Sequence, residues 1–392
     1  MSARQVHDAV VVGAGIVGAS AALTLAGEGL RVALVEPSPP PPWQGPASDL
    51  RVLALAEDSI GLLGELGVWE AARPHAQAYT SMEVWDAGSD QRLVFEATQQ
   101  GRTQLGAIVE NALLVDRLWQ ALQAAGMVTV HAGAGIESVE PGEEPAAPLR
   151  IRCSDGRSLR TRWLIGADGA ASPSRALLGI EVERHDYGQS GLVAYVECEQ
   201  AHGGRCYQRF LPGGPLAFLP VPDGRCSIVW SLPQAEAERL QDAPVAQFVA
   251  ELERAFDARL GRVRGVSDRR SFPLRRQLAR TYASGRGLLI GDAAHVVHPL
   301  AGQGVNLGLR DVLALRAHVR RYPDDPSRPQ RLARLARGLR SDNALAAYAF
   351  EAIHRGFSNS ALLPTLFRGP LLGLADRFGP LKSLLWRRAA GA

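Results

Sequence analysis

Gly13, Gly15 and Gly18 stand in VVGAGIVG, between a β-branched apolar run and an Ala/Leu-rich one, and Glu36 closes the next β-branched run 18 residues after Gly18. Glycines at this spacing permit a tight turn, let backbone approach a pyrophosphate and allow close helix–strand packing. The helix N-terminus, with Ala14 in the loop before it, points N–H groups at phosphate. A carboxylate at Glu36 suits ribose hydroxyls and disfavours a 2′-phosphate. Together they predict dinucleotide binding. A second motif, LIGADGAASPSR, ends a strand in Asp168-Gly169, with Ser172 and Arg175 following. Asp168 could accept hydrogen bonds from backbone N–H groups or a ribose, and Arg175 could pair with a carboxylate or a phosphate; the alternative is an Asp-Gly turn with Ser172 as helix N-cap. A third, LLIGDAAHVVHPLAGQGVNLGLRDV, ends a buried strand at Gly291-Asp292 and delivers Gly302, Gln303, Gly304, Val305 and Asn306 to the start of a helix. It offers an acid for a ribityl or ribose hydroxyl and a positive helix end for a developing anion. His295 and His298 are spaced H-x-x-H with no Glu between them and no third ligand, so no metal is expected. His295 reads as a structural hydrogen-bonder behind the loop and His298 as a pocket residue.

The elements that must position these residues follow from hydrophobic patterning. Strand Val6–Val12, helix Ile16–Glu28 and strand Leu30–Glu36 form a βαβ unit, and PSPPPPW from Pro37 to Trp43 is an extended loop. Helices are expected over Ser59–Leu66 and Leu113–Ala125, and strands over Val128–His131, Leu149–Cys153 and Leu159–Ile165, with Pro141–Pro148 a surface hairpin loop. From Leu192 to Leu232 strands follow one another across PGGP and PDGR turns without helices, which predicts an antiparallel sheet; Phe218, Leu219, Pro220 and Trp230 read as its core, with pocket wall as the alternative. A strand at Gly287–Ile290 returns to the first domain and a helix runs over Gln303–Val319. RYPDDPSRPQ breaks that helix, and the rest is mainly helical.

The three motifs, in this order, resemble the class A flavoprotein monooxygenases, and the resemblance covers nearly the whole chain. SDLRVLALAEDSIGLLGELGVW, LGAIVEN, DYGQSGLVA, FLPGGPLAFLPVPDGRCSIVWSL and HPLAGQGVNLGLRDV narrow it to the ubiquinone-biosynthesis hydroxylases. The resemblance implies a mixed α/β fold: a glutathione-reductase-type FAD-binding Rossmann domain (residues 1–80, 101–180 and 276–322), an inserted antiparallel-sheet substrate domain (81–100 and 181–275) and a C-terminal helical region (323–392). It implies non-covalent FAD, NAD(P)H as a transient co-substrate, and O2 used through a flavin C4a-hydroperoxide to hydroxylate a polyprenylated phenol or benzoquinol. By the same resemblance Arg51 reaches the FAD pyrophosphate or the edge of the substrate pocket, and Asn111 faces FAD from a helix start. Asp168 serves FAD or the nicotinamide, Asp292 binds the flavin, and Gly304 to Asn306 face the pyrimidine end of the isoalloxazine. Two other readings stay open: a class A hydroxylase of another aromatic substrate, and an FAD-bearing scaffold within a quinone-biosynthesis assembly. The ring position also stays open, because Arg340 to Pro364 resembles the branch acting at carbon six while YTSMEVWD and CSIVWSL lean toward carbon five.

Composition excludes other classes. The 392 residues are 46% hydrophobic without an uninterrupted apolar run of spanning length, so neither a disordered chain nor a membrane-spanning one is expected. Lys+Arg at 43 against Asp+Glu at 40 is too balanced for a protein that coats nucleic acid. Four cysteines without C-x-x-C spacing, and an N-terminal MSARQVHD without a signal-peptide pattern, point to a reducing, cytoplasmic location. Beyond Ser360 the chain mixes Leu, Phe and Trp with Arg368, Arg377, Lys382, Arg387 and Arg388 against a single acid, Asp376. Residues 360–392 therefore read as a peripheral contact with the inner face of the membrane or with other ubiquinone-biosynthesis proteins; an ordinary terminal helix pair is the alternative.

Overall fold

The Val6–Val12 strand is buried along most of its length because it lies inside a parallel sheet covered on both faces. It pairs in parallel with Ser158–Gly166 on one side and Val32–Glu36 on the other, and Gly287–Leu289 and Val128–Ala132 extend the sheet in the same sense. The computed structural model describes residues 6–88, 91–142, 147–297 and 304–357. The crossover helix Ile16–Gly27 buries a run of small residues, Gly18, Ala19, Ser20, Ala21 and Ala22. Small side chains let a second helix, Gly304–Arg321, approach closely: a Cβ added at Gly308 would stand 2.5 Å from Val17 Cγ2. Ile136–Glu140 and Leu149–Cys153 add an antiparallel flank to Ser158–Gly166, as a hairpin through Pro141–Pro148 requires; residues 143–146 of that loop lie outside the described residues.

A second sheet is built around the 17-residue strand Val182–Cys198, which pairs antiparallel with Cys226–Pro233 and Arg270–Ala279. Helix Val245–Phe256 covers one face, and its Phe256 ring stacks on Phe218 with centroids 3.6 Å apart. Phe218 and Trp230 are therefore core residues, as expected, and Leu219 is buried on the opposite face with Tyr195. Two features depart from the sequence reading. Ser81–Asp86 joins this sheet parallel to Arg205–Leu211, because it arrives from the first lobe rather than by a hairpin return. Arg270–Ala279 belongs to the second sheet along its whole length, so the expected division at residue 276 falls inside a strand. That strand also pairs with His295–Val296, which ties the second sheet to the Gly291 loop.

Between the two large sheets lies a small antiparallel one, Val52–Leu55, Gly106–Glu110 and Gln77–Tyr79, which the sequence reading did not foresee. Helix Pro329–Phe357 follows the break after Arg321. Residues 358–392, including the basic apolar segment, lie outside the described residues. Among the described residues no helix is long and apolar enough to cross a membrane.

Candidate functional site

The three glycines of the first motif have different surroundings. Gly13 has φ +99°, open to glycine at little cost, and a Cβ there would meet the Ala167 carbonyl oxygen at 2.5 Å. A Cβ at Gly18 would stand 2.0 Å from the Gly13 carbonyl oxygen. These two close the loop against the second motif and the helix against the loop. Gly15 has nothing within 4 Å of an added Cβ, although it is the N-cap of the Ile16–Gly27 helix. Open space at a helix N-terminus whose N–H groups lack intrahelical partners is what a pyrophosphate requires. Glu36 reaches this loop from the end of its strand, accepting from Ala14 N at 2.6 Å and from Ser38 N at 2.9 Å.

Asp292 follows Gly291, which adopts φ +57°. Asp292 is exposed at the surface of the loop, yet protein stands close enough around its carboxylate to desolvate it, as in an open recess. Desolvation there pushes its pKa above the usual carboxylate range, while the charges of His295 and Arg51 pull the other way. Arg51 is exposed, and its loop is fixed by Asp49, which accepts from Arg51 N at 2.9 Å and from Ala112 N at 3.0 Å. Asn111 opens the Asn111–Ala124 helix, donating its backbone N–H to the Arg51 carbonyl at 2.9 Å and its side-chain amide to Asp49 at 3.4 Å. Asp49 thus places a carboxylate at a helix N-terminus from a distant loop, and sequence reading missed it because the partner lies about sixty residues away. Asn306 is buried; its side chain accepts from Ala56 N at 2.9 Å and donates to the Ala54 carbonyl at 2.8 Å, joining the first turn of the Gly304–Arg321 helix to the end of the Val52–Leu55 strand. A Cβ at Gly304 would meet nothing within 4 Å, and Val305 is half-buried against the main core. Gly302, Gln303 and His298 lie outside the described residues.

The second motif turns inward. Both Asp168 carboxylate oxygens are engaged in its own loop, one by the Ser172 hydroxyl and the other by Ser174 N at 2.7 Å. Ser172 caps the Pro173–Leu177 helix by accepting from Arg175 N, as the alternative reading of this motif had it. Arg175 faces neither a carboxylate nor open space. It is 4% exposed and donates to the carbonyls of Ala293 and Ala170, both at 2.9 Å, so its fork joins the second motif to the third. His295 is buried against Asp311, as a residue behind the loop should be.

Beside Val52 a cavity of about 180 Å³ opens between the small sheet and the Val221–Asp223 turn of the second sheet, lined by Trp43, Ile108, Tyr195 and Val221 among others. The Tyr195 hydroxyl donates to the Asp49 carbonyl at 2.8 Å, tying the second sheet to the Arg51 loop at the cavity's edge.

The FAD binding domain family matches residues 6–321. The chain belongs to this family. FAD is the flavoprotein's cofactor, and the open cradle at Gly15 and the recess at Asp292 fit such a group. Similarity extends along the whole flavoprotein: it is 36% identical to ubiquinone hydroxylase UbiL of Rhodospirillum rubrum over 100% of this chain and 91% of that protein. It is also 36% identical to 3-demethoxyubiquinol 3-hydroxylase of Escherichia coli over 99% of each. Among solved structures, p-nitrophenol 4-monooxygenase PnpA of Pseudomonas putida superposes with a TM-score of 0.77 over 98% of both chains at 17% identity, which shows a common fold.

Proposed function

We propose that this flavoprotein hydroxylates the aromatic ring of a polyprenylated phenol or benzoquinol in ubiquinone biosynthesis, using NAD(P)H and O2. The observation that carries the reading is full-length similarity at 36% identity to two bacterial ubiquinone-pathway hydroxylases. When bound, FAD would supply the redox chemistry, with NAD(P)H as the two-electron donor, one oxygen atom of O2 ending on the ring and the other leaving as water. The chain's own residues bind, orient and exclude water. Gly13, Ala14, Gly15 and Gly18 form the pyrophosphate turn, and Glu36 exchanges its bond to Ala14 N for ribose hydroxyls. Arg51 and Asn111 face the cofactor from the edge of the small sheet, and Asp292 accepts from the ribityl chain. Gly304, Val305 and Asn306 would present backbone at the pyrimidine edge, where a helix N-terminus stabilises negative charge by about 0.3 to 2 kcal/mol, and Gly302 and Gln303, outside the described residues, belong to the same cofactor-binding stretch of sequence. Asp168 acts through its loop, on FAD or on the nicotinamide. The second sheet supplies the substrate side of the cleft, and the cavity beside Val52, at the seam between the sheets, offers a mostly apolar lining.

Complementation tests the reaction. In bacterial strains each lacking one ubiquinone ring hydroxylase, expression of this chain should restore ubiquinone in one, with the accumulated intermediate consumed by mass spectrometry. The strain lacking 3-demethoxyubiquinol 3-hydroxylase is the first expected to recover. Failure in every strain refutes the substrate class.

A polyprenyl substrate resides in the bilayer, so the flavoprotein meets it at the surface or receives it from a partner. The basic apolar segment 360–392 carries five cations against one acid and suits that contact. A chain truncated after Asn359 should stay FAD-loaded and lose co-sedimentation with anionic liposomes; unchanged co-sedimentation or loss of folding refutes this role.

A further inference from the structure

Asp311 lies beneath the Gly291-Asp292 loop and takes no part in the function proposed above. It is 1% exposed, and its two oxygens accept three hydrogen bonds from three elements: Gly291 N at 2.9 Å, His295 Nε2 at 2.6 Å and Asn343 Nδ2 at 2.9 Å. His295 and Asn343 are themselves buried. A buried carboxylate is costly unless hydrogen-bonded and compensated, and here an imidazole supplies the compensation. Gly291 needs its left-handed conformation to turn the chain between the Gly287–Leu289 strand and Asp292, and the bond from its N–H to Asp311 holds that turn.

We propose that Asp311 is the positioning residue of the flavin site: its carboxylate, clamped between Gly291 N, His295 and Asn343, aims Asp292 into the recess and sets the imidazole of His295 beneath it as a counter-charge. The inference rests on the flavin reading of Asp292. Burial alone would push the His295 imidazole down, but the charge and hydrogen bond of Asp311 outweigh it and hold the pKa above the ordinary histidine range. An imidazolium there favours the ionised form of Asp292, which burial disfavours. Besides His295, the groups facing this node are Arg51 from the loop before the small sheet, Tyr282 stacked on the His295 ring, Arg340 and Asn343 from the Pro329–Phe357 helix, and Asp311 from the Gly304–Arg321 helix. Asn343 gives that last helix a hold on the flavin loop through Asp311.

The sign follows. FAD affinity should fall on the acid side as Asp292 takes up a proton, and removing the cation beneath it should move that acid limb to higher pH. The test is FAD dissociation from full-length holoprotein on dilution, read by recovery of flavin fluorescence from acid to neutral pH. Asp292→Ala should bind FAD weakly and show no acid limb. His295→Gln, which can still donate to Asp311, should keep most of its affinity at neutral pH with the limb raised on the order of one pH unit. Asp311→Asn should raise the limb similarly and lose about tenfold in affinity at every pH, and Asn343→Ala should lose affinity severalfold with the limb unmoved. Parent-like curves for His295→Gln and Asn343→Ala overturn the proposal even if Asp311→Asn does not fold. A uniform loss in all variants with the limb unmoved also overturns it. Failure of the parent protein to bind FAD would instead overturn the flavin reading.

Discussion

Gly15→Val is expected to leave the fold intact and raise the dissociation constant for FAD by about 100-fold or more, equivalent to about 2.7 kcal/mol. The backbone at Gly15 has φ −65°, which valine adopts readily, and an added Cβ finds nothing within 4 Å. The protein tolerates the side chain; a pyrophosphate drawn to the helix N-terminus would not, because the branched carbons fill its path. The neighbouring glycine serves as the control. Gly18→Val places a Cβ 2.0 Å from the Gly13 carbonyl oxygen, a backbone atom, so the helix or the strand has to shift. That variant should be poorly folded or melt well below the parent, as overpacking of a tight contact does. Circular dichroism and FAD fluorescence titration separate the outcomes: a Gly15→Val protein that binds FAD like the parent removes the pyrophosphate turn from the site.

Glu83→Ala should lower stability by about 3 kcal/mol and the melting temperature by roughly 5 °C. Glu83 lies on the Ser81–Asp86 strand of the second sheet with 2% of its surface exposed. It accepts from Arg259 Nη2 at 2.8 Å and pairs with Arg92 and Arg205 at 3.3 and 3.4 Å. Removing the carboxylate leaves a void and three converging guanidinium groups; these keep partial access to water, which places the cost at the low end for a broken buried pair. Glu83→Gln retains the shape without the charge and should fall between parent and alanine. The site lies on a different sheet from the Gly15 turn, so FAD affinity below the melt should not change. Wild-type thermal stability in Glu83→Ala would show that the arginines carry no dependence on this carboxylate.

Much of the fold and the outline of the site are legible in the chain alone, because their causes are local. A parallel βαβ unit with its glycine turn is written in contiguous residues, and Val6–Val12, Leu149–Cys153 and the antiparallel strands between Leu192 and Leu232 announce themselves by β-branched content and turn residues. Glu36 falls at the end of its strand because the crossover helix has a set length. The choice between the two readings of LIGADGAASPSR is not local. Whether Asp168 faces a ligand or its own loop, and whether Arg175 meets a phosphate or two carbonyls, depends on how the second motif packs on the third. Arg175 is drawn inside because the carbonyl of the buried Ala293 needs a donor, while the exposed Ala170 carbonyl also accepts from Gln277 Nε2 at 2.8 Å.

Tertiary structure alone decided the parallel entry of Ser81–Asp86 into the second sheet, the extension of Arg270–Ala279 across residue 276, and the partners of Asp49, Glu83 and Asp311. Each of these acids reads as an unremarkable charge in its own stretch of sequence. Its role comes from groups the fold brings next to it: a helix end about sixty residues away for Asp49, the guanidinium groups of Arg205 and Arg259 from more than a hundred residues away, with Arg92 nearer in sequence, for Glu83, and a left-handed turn, a buried imidazole and Asn343 of a later helix for Asp311. Periodicity and spacing register what a residue does for its own element. A buried charge is decided by its desolvation and by whichever partner the fold delivers to it, and neither quantity exists until the chain has closed around it.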